Sequence, residues 1–160
     1  MTRIFLDANV LVAVLCNEYP KFTACARVLS LADDRRFKVF TSPLCIAIAA
    51  YFTAKKNGNR LAKKKIALLM QKLGITTVDD QCCRNAINEK RIEDLEDGFE
   101  YFSALGSKCG FIVTYDKSDF HFSKIPVMDP EAFLLDHVIG KRVKGRDASS
   151  PQRREGRKGR

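Results

Sequence analysis

The sequence predicts an α/β fold: a three-layer α/β/α sandwich around a central, mainly parallel sheet. Two observations carry this. Short strand-like apolar runs alternate with longer segments of helical spacing throughout, the pattern of βα units rather than of separate strand and helix blocks. Residues 110–114 are also continuously apolar up to Thr114, as expected of a strand buried on both faces of a parallel sheet. A chain of 160 residues is one domain with room for a tail.

Each element has its own signal. Residues 2–6 form a short buried strand, followed by a turn at residues 7–9 and a helix over 10–16. Residues 21–33 have helical spacing, with Phe22, Cys25, Ala26, Val28 and Leu29 near one face. Residues 37–41 alternate as a second strand. Ser42-Pro43 then supplies an N-cap and a first-turn proline for a helix running to Lys56, and Gly58 ends it. A lysine-rich helix over 60–73 stops at Gly74. A third strand covers 75–78. Asp79 caps a helix to Lys90, and another spans 94–108 with Leu95, Phe99, Phe102 and Leu105 on its apolar side. The fourth strand is 110–114 and a short edge strand covers 126–128. Asp129-Pro130 opens a last helix to Val138. The predicted domain is 1–139.

Residues 140–160 read as a basic, disordered tail. From Lys141 onward there are nine Lys or Arg against two acids and no apolar residue beyond Val143 except Ala148, too little to repay ordering. The tail therefore carries +7 of the net +9, leaving +2 on the first 140 residues. No stretch approaches the roughly 20 apolar residues of a membrane span, and the N-terminus lacks a signal-peptide pattern. The expected location is the cytoplasm, with no membrane partner. The six cysteines match no zinc spacing, and in a reducing cytosol they are expected to be small core residues or inert thiols. Nucleotide-binding, serine-hydrolase and zinc-protease motifs are absent.

The acids are the chemically informative residues. Asp7 ends the first strand, Glu93, Asp94, Glu96 and Asp97 cluster at a helix start, and Asp116 and Asp119 follow the fourth strand. Sites in open α/β sheets form beyond the carboxyl ends of strands, where converging carboxylates suit a hard, oxygen-seeking cation such as Mg²⁺ or Mn²⁺. Each acid has a local reading too. Asp94 is a good N-cap with Asp97 three residues on, and Asp7 and Asp116 suit turns. Ser42 and Thr114 stand at strand ends, where a hydroxyl either orients a carboxylate or satisfies local backbone. The lysines from Lys55 to Lys65 read first as a solvated helix face.

Taken in order, the segments IFLDANVLVAVL, TSPLCIAIAAYF, DLEDGFEYFSAL, CGFIVTYDKSDF and IPVMDPEAFL resemble the PIN domain, and within it the VapC-like ribonuclease toxins. The resemblance covers roughly residues 2–135. It implies a Mg²⁺- or Mn²⁺-dependent endoribonuclease, an RNA substrate, a cognate antitoxin and a homodimer. The metal would be held by Asp7, Asp97 and Asp116, with Asp119 a further catalytic acid and Asn9, Ser42 and Thr114 in support. Many relatives carry Asn where Asp116 stands. Lys141, Arg142, Lys144, Arg146, Arg153 and Arg154 would add RNA affinity without reading sequence. One departure stands out: the family's Glu about six residues beyond the strand-end Ser falls on Ile48, between Ala47 and Ala49. Metal binding is then weakened, shifted towards Asp116, or lost. The loss motivates a second reading, a PIN-like module that binds RNA or protein without cutting. A phosphatase using Asp7 as nucleophile is disfavoured, because Asn9 stands where such enzymes want a second Asp.

Overall fold

The protein is described by a computed structural model covering residues 1–140. Gly140, the first residue of the expected tail, is helical; the rest of the tail, with its six candidate RNA-binding residues, lies outside the described residues. Five parallel strands form one sheet in the order β3-β2-β1-β4-β5: β1 (Thr2–Leu6), β2 (Phe37–Thr41), β3 (Gly74–Ile75), β4 (Phe111–Val113) and β5 (Val127–Met128). The mainly parallel sheet of the sequence reading is thus parallel at every pairing.

β1 is the central strand, and its Ile4, Phe5 and Leu6 are wholly buried. Register with β4 pairs Leu6 with Val113, so the strands end level and deliver Asp7 and Thr114 side by side. Chain reversal of neighbour order at β1 makes this end of the sheet the crevice where ligands bind in open α/β folds.

Helices cover both faces: α1 (Ala8–Leu15), α2 (Lys21–Leu29, extended by a 3₁₀ turn over Ser30–Asp33), α3 (Pro43–Asn57), α4 (Asn59–Met70), α5 (Asp80–Asn88), α6 (Leu95–Gly106) and α7 (Pro130–Phe133, continuing as a π-helical turn over Leu134–Ile139). A further 3₁₀ turn covers Lys117–Phe120. None among the described residues is long and apolar enough to cross a membrane.

Three sequence expectations are corrected. The turn at residues 7–9 is absent, because Asp7 itself caps α1 and the helix starts at Ala8. Gly74 lies in β3 rather than merely ending a helix; a Cβ there would sit 2.6 Å from the Phe40 ring. β3 is correspondingly shorter than 75–78: as an edge strand it keeps only Thr76 N–H to Thr41 O (2.8 Å) beyond Ile75. The third concerns α6. Its wholly buried side chains are Glu100, Tyr101, Ser103 and Ala104, while Leu95 and Leu105 are exposed and Phe99 and Phe102 only partly covered. The buried face is rotated from the apolar stripe because α6 turns a polar side towards the crevice.

Two lysines of the basic stretch are structural rather than merely solvated. Lys56 and Lys65 donate to the carbonyls of Cys16 and Leu15, capping the C-terminal end of α1, where cations suit the helix dipole. Ser42 is wholly buried and caps α3, its Oγ accepting from Cys45 N–H at 3.0 Å. Ser42→Ala should lower stability by about 1 kcal/mol, measurable as a denaturant-midpoint shift without a change in slope.

Candidate metal centre

A cleft of about 390 Å³ opens over the carboxyl ends of β1 and β4. Asp7, Asp97, Asp116 and Asp119 all line it, so the four acids singled out in the sequence share one wall space although they come from three separate segments. Glu18, Asp94 and Glu96 join them, and among the described residues the one lysine lining the cleft is Lys21. Lys21 is partly engaged elsewhere, with Nζ 4.8 Å from the centre of the Tyr115 ring.

Asp7 is held firmly. Its Oδ1 accepts from Ala8 N–H (2.6 Å) and its Oδ2 from Thr114 Oγ1 (2.8 Å) and Asn9 Nδ2 (3.4 Å). Thr114 is wholly buried and saturated: it donates to Asp7 and accepts from Asn9 Nδ2 (2.9 Å) and Asp116 N–H (3.0 Å). Asn9 also donates to Asp116 Oδ2 (3.0 Å) and accepts from Tyr115 N–H (3.3 Å). Asn9 and Thr114 therefore tie Asp7 and Asp116 into one network. Ser42 lies outside it and does not line the cleft.

The electrostatics are those of crowded carboxylates. Burial lifts the Asp97 carboxyl to about 7, reinforced by repulsion from Asp94, Asp119, Asp7 and Glu96. Asp119 is raised by burial and by Asp116, and Glu96 by burial and by Asp94. Asp94 has the capping role its position suggested, accepting from Glu96 N–H at 2.9 Å. Like charges gathered this closely favour either protons or a cation. The donors on the cleft wall are all oxygen, the type a hard divalent ion prefers, although among the described residues it is Asp7, Cys45 and Glu100 whose ligand atoms lie within 4.8 Å of one another.

Ile48 lines the cleft as a partly buried apolar residue. One carboxylate not anticipated from the sequence stands close by. Glu100, three residues beyond Asp97 on α6, is 1% exposed, and its Oε1 lies 3.2 Å from Cys45 Sγ. Burial, then the neighbouring Asp7, push its carboxyl up to about 10. The available signal was the i, i+3 spacing from Asp97, which puts both on one side of the helix.

A family model for the PIN domain matches residues 3–118. No curated protein matches the sequence. Among solved structures, the fold is similar to VapBC-1 of nontypeable Haemophilus influenzae (TM-score 0.63, 15% identity, 81% of this chain and 99% of that one). It is similar also to VapBC2 of Rickettsia felis, solved with a promoter DNA fragment (TM-score 0.61, 14% identity, 80% and 98%). A third is VapC20 of Mycobacterium tuberculosis, described as a toxin that cleaves the sarcin-ricin loop (TM-score 0.58, 15% identity, 76% and 98%).

Proposed function

Because this chain belongs to the PIN-domain family, we propose that it is a metal-dependent endoribonuclease and the toxin of a toxin–antitoxin pair. The observation that carries the reading is the convergence of Asp7, Asp97, Asp116 and Asp119 on one cleft at the end of the sheet.

Asp7, Asp97 and Asp116 would hold Mg²⁺ or Mn²⁺, with Asp119 a further acid beside them. When bound, the ion supplies Lewis-acid stabilisation of charge on the phosphoryl group under attack. Thr114 and Asn9 fix the orientation of Asp7 and Asp116 before any ligand arrives. Asp97, lifted to about 7 by burial and neighbouring acids, is the carboxyl whose proton a bound cation would displace near neutrality. The basic residues from Lys141 to Arg154 would hold the RNA backbone, making affinity fall steeply with salt.

An antitoxin partner is supported by the VapBC assemblies of similar fold, and by Tyr51, Phe52, Leu61, Leu68 and Met70, which leave apolar surface exposed on α3 and α4. A homodimer and a cytoplasmic location belong to the same proposal.

Ile48 favours a second reading, since an apolar residue lines the cleft where the resemblance expects a carboxylate. On that reading the chain binds RNA or protein without cutting. Incubation of mixed RNA with the full-length chain and Mn²⁺ separates the two. Cleavage that chelation stops and Asp7→Asn abolishes is expected; no cleavage by the native chain, or cleavage unchanged in Asp7→Asn, would sink the nuclease reading.

A further inference from the structure

Behind the cleft wall, Asp7 packs against two buried side chains that the nuclease reading leaves unused. A carboxylate oxygen of Asp7, one of Glu100 and the Sγ of Cys45 lie within 4.8 Å of one another, and all three residues are buried. Cys45, in the first turn of α3, sits 3.2 Å from Glu100 Oε1 and 3.8 Å from Asp7 Oδ1. Among the described residues no donor reaches Glu100 Oε2, although the residue is 1% exposed. An orphaned buried oxygen is costly, and native folds seldom leave one without a reason.

The thiol selects which cation these three donors suit. Mg²⁺ takes oxygen ligands and parts reluctantly with its waters, so a dry site containing sulfur suits it poorly. Ions of the zinc class accept thiolate and carboxylate together, and three protein ligands leave one tetrahedral position open.

We propose that Asp7, Cys45 and Glu100 form a buried site for a borderline-soft divalent cation of the zinc class, separate from the all-oxygen position in the cleft and sharing Asp7 with it. On binding, the Cys45 thiol and the Glu100 carboxyl each release a proton to bulk water, leaving a thiolate and two carboxylates around the ion. Asp7 presents Oδ1 to Cys45 and Oδ2 to Thr114, so the same residue borders both positions. A zinc-class ion behind the wall therefore competes for the carboxylate that the cleft needs.

Cobalt(II) is the probe, titrated into the full-length chain and followed by absorbance. A thiolate-to-cobalt charge-transfer band saturating at one equivalent is expected. Cys45→Ser should remove it, and Glu100→Gln should weaken cobalt binding by at least about tenfold, since even outer partners of a metal ligand carry that much. Cys83→Ser, which alters the one cysteine that is not buried, should leave the band intact. No band in the native chain, or a band that survives in Cys45→Ser, overturns the site. Should Cys45→Ser lose its native circular dichroism, unchanged cobalt affinity in folded Glu100→Gln overturns it equally. This readout is independent of RNA cleavage, so the site and the nuclease reading fail separately.

Discussion

Asp97→Asn is expected to lower Mn²⁺-dependent RNA cleavage by about a hundredfold or more, the scale at which losing one group that stabilises transition-state charge is felt, while sparing the metal-free protein the loss of stability it suffers as pH rises from 3.8 to about 7. The second half follows from the crowding around Asp97. Its carboxyl ordinarily titrates near 3.8 and is lifted to about 7 in the fold, first by burial and then by Asp94, Asp119, Asp7 and Glu96. The folded state thus holds a proton that the unfolded state has released. That contribution is fully present below the ordinary value and is lost as pH rises through about 7. The amide introduced by the substitution carries no charge at any pH, so the variant should lack this decline. Mn²⁺ should oppose the decline in the native chain, adding about 2.7 kcal/mol at a hundred times its dissociation constant. The same addition should do little for the variant. Thermal melts across pH, with and without Mn²⁺, check all of this. A native chain whose melting temperature ignores both pH and Mn²⁺ between pH 5 and 8 would show that Asp97 is not part of a cation site.

Much of this centre was legible because strand ends are well marked in the sequence. The expected boundaries of β1 and β2 match the structure at both ends, since Asp7 and the Ser42-Pro43 pair leave little freedom over where a strand stops and a helix starts. Asp7, Thr114 and Asp116 then fall together simply because β1 and β4 are neighbours in register. Asp97 was harder, because its spacing from Asp94 suits a capping arrangement equally well. Helix α6 was misjudged in orientation for a related reason. Apolar periodicity finds the side of a helix that faces hydrocarbon, whereas α6 buries Glu100 and Ser103 with Tyr101 and Ala104. A helix that delivers carboxylates to a cleft necessarily turns polar groups inward, and the apolar stripe then points elsewhere. Ile48 has no such explanation in its surroundings; it is an apolar side chain on the wall of an acidic cleft. Glu100 does not occupy that place: it sits deeper, beside Cys45, on a different helix.

Glu100→Gln should raise the melting temperature by roughly 5–10 °C near pH 7, an unusual outcome for a change at a residue 1% exposed. A buried glutamate with an ordinary value of 4.5, pushed up to about 10, enters the fold at pH 7 only by taking a proton. At about 1.4 kcal/mol per pH unit, that uptake costs on the order of 3 kcal/mol. Glutamine has nearly the same shape and needs no proton. Its amide can donate to Asp7 while its carbonyl accepts from Cys45, the two neighbours that crowd the native acid. The direction with pH is fixed by the raised value: the native residue is fully favourable below about 4.5 and loses ground as pH climbs towards 10. The two proteins should therefore melt together near pH 4 and diverge steadily above it. Equal stability at pH 8 would mean that Glu100 is already satisfied in solution. A stabilised variant that also binds cobalt more weakly would identify Glu100 as a residue kept at a cost in stability because a cation needs it.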